Sequence, residues 1–195
     1  MSENLQFTAN IAIIGGGTMG SGIAEVCAKS GLDTIVMEPE AAAAEAAQNR
    51  IDSSLDKAVA RGRLSQEDRS TTGALLSYTT DINALGDRDL VIEAIVENEA
   101  IKLELFKRLD EVTPEHCILA SNTSSIPLIN IGTATKRPDR VLGLHFFNPP
   151  PVMVLLEVVR SLHTSQATVD TCLGLAERLG KTPIVVSDTP GFATS

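Results

Sequence analysis

The chain has 195 residues, 43% hydrophobic and 21% charged, enough apolar material for a buried core and too much for a disordered chain. Sixteen Lys and Arg against twenty-five Asp and Glu leave a formal net charge of −9, which disfavours a sequence-independent grip on nucleic acid or an anionic membrane surface. Three Cys, three His and 3% aromatic residues argue against a disulfide framework, a zinc site and a base-stacking surface, and no run approaches the ~18 apolar residues of a membrane span.

The N-terminus, MSENLQFTAN, lacks the basic-then-apolar order of a secretory leader. A buried strand is expected at Ile11–Ile14, then a glycine loop and a helix over Thr18–Ser30 with Met19, Ile23, Val26 and Cys27 on one stripe. Thr34–Met37 reads as the next strand and the Ala-rich stretch Ala41–Arg61 as a helix. Leu90–Ile95 is a strand, and Glu99–Val112 a helix aligning Leu105, Phe106, Leu109 and Val112. Cys117–Ala120 is a strand leading into the hydroxyl-rich Ser121–Ser125 and a short helix over Ile126–Ile131. Val141–Phe147 is a strand, stopped by Asn148-Pro149-Pro150-Pro151. The run Val152–Val159 returns too soon for a helical crossover, so it pairs antiparallel with the strand before it, at the edge of the sheet. Ser165–Leu179 is a helix, Gly180 offers a left-handed stop, and Pro183–Val186 is a last strand. Strands alternating with helices imply a doubly wound, Rossmann-like parallel α/β sheet with an added antiparallel pair near its C-terminal end. Cys27, Cys117 and Cys172 sit among apolar neighbours and read as core thiols in a reducing, cytoplasmic protein.

Ile11–Gly20 is a strand running through GxGxxG into a helix. Gly15 permits the tight turn, Gly17 the approach of a pyrophosphate, and Gly20 the close packing of helix on strand; Thr18 and Met19 open the helix towards the phosphates. The acid that the motif requires is Glu38, at the end of the next strand, where a carboxylate accepts ribose hydroxyls and repels a 2′-phosphate. No Arg follows Glu38, and the expected cofactor is NAD.

His145 and Glu157 each interrupt an apolar strand. A lone His there can be a satisfied core residue, but a carboxylate in an apolar run is costly unless paired. If the proline turn folds Glu157 back onto His145, it orients the imidazole and stabilises its protonated form, as a dehydrogenase base requires. Sequence does not supply the register that would decide this. Ser121–Ser125 would border the same site at the strand ends, or simply cap the following helix, and no Gly-x-Ser-x-Gly supports a serine nucleophile.

GGGTMGSGIA at Gly15–Ala24, EAIVEN at Glu93–Asn98, SNTSS at Ser121–Ser125, HFFNPPPVM at His145–Met153 and DTPGF at Asp188–Phe192 resemble, in that order, the 3-hydroxyacyl-CoA dehydrogenase family. The resemblance implies oxidation of an (S)-3-hydroxyacyl-CoA to the 3-ketoacyl-CoA with hydride passing to NAD. It implies His145 as the catalytic base, Glu157 as its paired acid, and Ser124 as the donor to the substrate hydroxyl. By the same resemblance Asn148, Glu97 and Lys102 lie near the nicotinamide, and Ser54 and Arg61 face coenzyme A. No metal is implied. The family continues past PGF into an all-helical domain that makes its homodimer interface. The reading is therefore a cofactor domain over residues 1–188, a linker from 189 to 195, and a helical second domain absent, with NAD binding retained and turnover from the chain alone weak or absent. Two alternatives stand beside it: a dehydrogenase of a small hydroxy acid or sugar acid, and a non-catalytic NAD-binding module.

Overall fold

The structure, a computed structural model, describes residues 10–189. Strand β1 (Ile11–Ile14) is fully buried and ends in a turn that only glycine makes easily: Gly15 has φ +93°, and a Cβ there would stand 2.9 Å from the carbonyl oxygen of Ala94. Helix α1 (Thr18–Lys29) leaves this loop so close to β1 that a Cβ on Gly20 would lie 1.7 Å from the Gly15 carbonyl oxygen. Strand β2 (Thr34–Met37), helix α2 (Ala41–Ala60), helix α3 (Gln66–Ala74) and strand β3 (Leu76–Thr79) follow. Next come β4 (Leu90–Glu93), α4 (Glu99–Val112), β5 (Ile118–Ser121), α5 (Leu128–Thr133) and β6 (Val141–Phe146). The chain then runs through β7 (Leu155–Arg160), α6 (Gln166–Arg178) and β8 (Thr182–Ser187).

The eight strands form one sheet in the order β3-β2-β1-β4-β5-β6-β7-β8. All pairs through β6 are parallel, β6 and β7 are antiparallel, and β8 runs parallel to β7. The direction of winding reverses between β1 and β4, the switch point at which doubly wound folds open their ligand crevice. The expected doubly wound sheet and its antiparallel pair are both present. Three details differ from the sequence reading. The returning strand starts at Leu155 rather than Val152, because the N–H groups of Val152 and Met153 both donate to the Pro149 carbonyl and close a turn. β7 is also not the outer edge, since β8 adds beyond it. Finally, β3 and α3 lie where sequence gave no element.

Strand alternation sorts the core into two halves. One face carries Ile11, Ile13, Val36, Ile92, Leu144 and Val158 against α1, α2 and α6. The other carries Ala12, Ile14, Val91, Leu119, Val141 and Val159 against α4 and α5. The second face changes character along its strands: the same alternation brings up Glu93, Ser121 and His145 at the C-terminal ends of β4, β5 and β6, and Glu157 beside them on β7, all buried. The three Cys are buried and unpaired, and burial pushes Cys27 and Cys172 up to about 12 and Cys117 to about 11, which leaves them inert core groups. Among the described residues no helix is long and apolar enough to cross a membrane.

The glycine geometry makes a differential prediction for urea unfolding. Gly20→Ala drives a methyl group into the Gly15 carbonyl and is expected to cost about 3 kcal/mol, the upper end for overpacking. Gly17→Ala, at φ −64° with nothing within 4 Å of the added carbon, is expected to change stability by less than ~1 kcal/mol. Equal midpoints for the two variants would contradict the close approach of α1 to β1.

Candidate active site

The antiparallel register sets His145 directly opposite Glu157, and the two side chains meet on the α4/α5 face. His145 Nδ1 lies 2.7 Å from Glu157 Oε2, with the carboxylate wholly buried and the histidine 7% exposed. A carboxylate only accepts hydrogen bonds, so Nδ1 carries the proton of the neutral imidazole and Nε2 is left as its basic nitrogen. Nε2 is 3.3 Å from Ser124 Oγ, and Ser124 is exposed. The pairing that sequence left open is therefore made, and it aims the basic nitrogen at the Ser124 hydroxyl.

Ser124 is placed by the loop after β5, which Glu97 gathers. One Glu97 oxygen accepts from the Thr123 hydroxyl, the Ser124 N–H at 3.1 Å, and the Ser125 N–H and hydroxyl at 3.3 and 3.2 Å. The other lies 3.1 Å from Lys102 Nζ. Thr123 in turn caps the segment ahead of α5, its hydroxyl oxygen accepting from Ile126 N–H at 3.0 Å. The hydroxyl-rich stretch faces His145 through Ser124, but it does not cap the helix as considered: α5 starts at Leu128 rather than Ile126, with Pro127 as its N-cap and no side-chain cap, and Thr123 only fastens the turn ahead of it. Burial pushes the Glu97 carboxyl up, but the Thr123 hydroxyl, the Lys102 ammonium and the Ser124 N–H outweigh that and hold it below the ordinary carboxylate range.

Beneath the loop lies a residue that sequence reasoning quoted within a motif but did not single out. Glu93 has no exposure; it accepts from Lys102 Nζ at 2.6 Å, from the Ile95 N–H at 2.7 Å and from the Ser121 hydroxyl at 2.6 Å. Lys102, expected beside the cofactor, is itself 1% exposed and shared between Glu93 and Glu97. A charge at the end of an otherwise apolar strand was the signal, since such a group must find partners. Asn122, also missed, fixes the entry to the proline turn by accepting from the Phe146 N–H at 2.8 Å. Asn148 is exposed just beyond it.

The glycine loop occupies the switch point. Gly17 is the N-cap of α1 and brings no side chain to occupy the first-turn N–H groups, and no acid sits in that turn. Thr18 is exposed and Met19 half-buried beside it. These features fit an anion such as a dinucleotide pyrophosphate. Glu38 follows β2, and its Oε1 accepts from the Gly16 N–H at 2.6 Å. Ser54 is half-buried on α2 and Arg61 is exposed at its C-cap; α2 packs on α1 away from the His145 face. A cavity of about 740 Å³ opens elsewhere, at the far end of α4, where Arg137 pairs with Asp110 and His116 Nε2 lies 3.0 Å from Asp89. Among the described residues no His, Cys, Asp and Glu cluster is arranged to hold a metal. Asp188 is described and accepts from the Ile129 N–H at 2.9 Å, whereas Pro190–Phe192 of the DTPGF motif lie outside the described residues.

The model of the 3-hydroxyacyl-CoA dehydrogenase NAD-binding domain matches residues 10–189. The 3-hydroxybutyryl-CoA dehydrogenase of Mycobacterium tuberculosis is 48% identical over 197 residues, covering 100% of this chain and 68% of that protein. The mitochondrial hydroxyacyl-coenzyme A dehydrogenase of Sus scrofa is 40% identical, covering 94% of this chain and 60% of its own. Among solved structures, M. tuberculosis FadB2 superposes with a TM-score of 0.94 at 48% identity, covering 95% of this chain and 66% of that one. The (S)-3-hydroxybutyryl-CoA dehydrogenase PaaH1 of Ralstonia eutropha gives 0.93 at 39% identity, covering 95% and 66%. The chain thus spans about two thirds of the length of most of these proteins.

Because Glu97 is held below its ordinary value of 4.5, its contribution to stability is complete above that pH and fades as pH falls through the lower, folded value. The urea midpoint of the parent chain should exceed that of Glu97→Gln by a constant margin from neutral pH down to about 4.5, and the margin should shrink below it. A margin that grows on acidification would overturn the assignment.

Proposed function

The chain belongs to the family of 3-hydroxyacyl-CoA dehydrogenase NAD-binding domains, and from that premise we propose that it serves the oxidation of an (S)-3-hydroxyacyl-CoA, with 3-hydroxybutyryl-CoA as the favoured substrate, and the reverse reduction. The observation that carries this reading is the Ser124–His145–Glu157 line, which sets a basic nitrogen, oriented by a buried carboxylate, beside an exposed hydroxyl donor.

NAD supplies the hydride acceptor for a carbinol carbon. Gly15, Gly17, Thr18, Met19 and Gly20 would hold its pyrophosphate and Glu38 the adenosine ribose, while Asn148 and Glu97 would border the nicotinamide, with Lys102 acting on it through Glu97. His145 Nε2 takes the hydroxyl proton as the carbinol is oxidised and returns it on reduction. Glu157 holds the ring in the one orientation that points Nε2 at Ser124, and its negative charge stabilises the imidazolium that forms. Ser124 donates to the substrate oxygen and fixes it in line with Nε2. The backbone and hydroxyl donors gathered by Glu97 keep that serine in place while the proton moves. Ser54 on α2 and Arg61 at its C-cap would meet the coenzyme A moiety, Arg61 as the cation for a phosphate. Residues 1–188 act in this reading as the cofactor domain, within a homodimer. The three reduced thiols accord with a cytoplasmic setting.

NADH fluorescence titration followed by addition of acetoacetyl-CoA tests the reading. NADH is expected to bind the parent chain and His145→Ala with affinities within about twofold of each other, since His145 handles the proton rather than the cofactor. Where the parent consumes NADH, His145→Ala should lose on the order of 10²–10⁴ of the rate and Glu157→Gln at least ~10², with KM for NADH little changed. Absence of NADH binding would sink the cofactor assignment. Equal turnover by parent and His145→Ala would sink the role of the histidine.

A further inference from the structure

The middle glycine of the loop is held at both of its backbone polar groups by side chains from three elements. Its N–H donates to Glu38 Oε1 at 2.6 Å. Its carbonyl oxygen accepts from the Ser21 hydroxyl at 2.7 Å and from Arg50 Nη1 at 2.6 Å. Arg50 comes from α2, twelve residues beyond Glu38, so that the arginine absent after Glu38 in sequence arrives at the same loop through the fold. α2 also lies against the backbone here: a Cβ built on Gly16 would stand 2.3 Å from that of Ala47, one turn before Arg50.

In a planar trans peptide the carbonyl of one residue and the N–H of the next point in opposite directions. A fixed Gly16 carbonyl therefore fixes the direction of the Gly17 N–H. That N–H faces away from Ser21 and Arg50; Gly17 is exposed, a Cβ on it would meet nothing within 4 Å, and among the described residues no side chain accepts from it. Glycine on both sides of this peptide leaves it intrinsically free to turn over, so something outside the loop backbone must choose its orientation. An arginine donor on a neutral carbonyl is a charge-assisted hydrogen bond, roughly twice the strength of a neutral one.

We propose that Arg50 is a positioning residue for the dinucleotide phosphates: acting with Ser21 on the Gly16 carbonyl, it aims the Gly17 N–H into the open space ahead of α1. The proposal rests on the NAD reading above and adds to it a residue on a different helix from the glycine motif. It also gives α2 a second task, because Ser54 lies four residues further along, on the same side of the helix as Arg50, and Arg61 is the C-cap of that helix.

The test compares NADH with ADP-ribose, which keeps the pyrophosphate, and with adenosine, which lacks it, the latter two by displacement of NADH fluorescence. Arg50→Ala is expected to weaken NADH and ADP-ribose roughly tenfold and adenosine less than about twofold. Arg50→Lys should regain part of the loss, since an ammonium can donate to the same carbonyl, and Ser21→Ala should show the same ligand pattern with a smaller factor. Circular dichroism melting checks that each variant folds; should Arg50→Ala fail to fold, the lysine and Ser21 variants carry the comparison. Unchanged NADH affinity in a folded Arg50→Ala, or an equal loss for adenosine, overturns the proposal while leaving the cofactor reading intact. Failure of the parent chain to bind NADH overturns both.

Discussion

Two carboxylates with no access to solvent, Glu93 and Glu157, stand on one face of the sheet at the same end, and the arrangement of the site follows from the need to satisfy them. An unpaired carboxylate in such a place costs several kcal/mol or picks up a proton. Glu157 finds His145, and it can do so only in the register that places the two opposite each other across β6 and β7. A slip by one residue would turn Glu157 to the face packed by α1, α2 and α6, where the partners are aliphatic. Glu93 finds Lys102 and Ser121, and so ties the start of α4 to the ends of β4 and β5. Lys102 then reaches Glu97, Glu97 collects the loop at 123–125, and that loop delivers Ser124 to His145. His145 and the loop beside it are thus two ends of one hydrogen-bonded system rooted in the sheet.

Much of this was legible in the residues. The seven strands with strong apolar runs were readable, as were the glycine loop, the acid at the end of β2 and the two charges that interrupt the hairpin. What escaped reading did so for identifiable reasons. β3 is Leu-Ser-Tyr-Thr at the sheet edge, with one exposed and three half-buried residues, so it never shows the apolar run that marked its neighbours. α3 buries only Thr72 and has no apolar stripe; its one signature was Ser65, whose side chain accepts from the Asp68 N–H, with Glu67 and Asp68 in the first turn. The His145–Glu157 contact was a question of register, and register depends on where the proline turn ends, a matter of a few backbone hydrogen bonds around Pro149. Arg50 was invisible because its partner is a backbone carbonyl, and a backbone acceptor has no letter in the sequence.

The two halves of the site lie on different sides of the sheet, and the strand order dictates how far apart they are. Glu38 closes β2 and His145 lies on β6; the order β2-β1-β4-β5-β6 makes that four strand spacings, roughly 19 Å at ~4.8 Å each. The glycine loop falls one spacing in from Glu38, and Glu97 and Ser124 follow the strands that fill the remainder. A ligand with one sugar at Glu38 and its reactive ring at His145 must therefore carry its phosphates nearer the Glu38 end and cross the switch point, where β1 and β4 diverge towards helices on opposite faces. The residues of such a site accordingly come from successive strands across the sheet rather than from one element. At the switch point the loop backbone has left one strand and not yet settled into its helix; the Gly15 N–H still donates to the Met37 carbonyl, whereas both polar groups of Gly16 rest on the side chains of Glu38, Ser21 and Arg50.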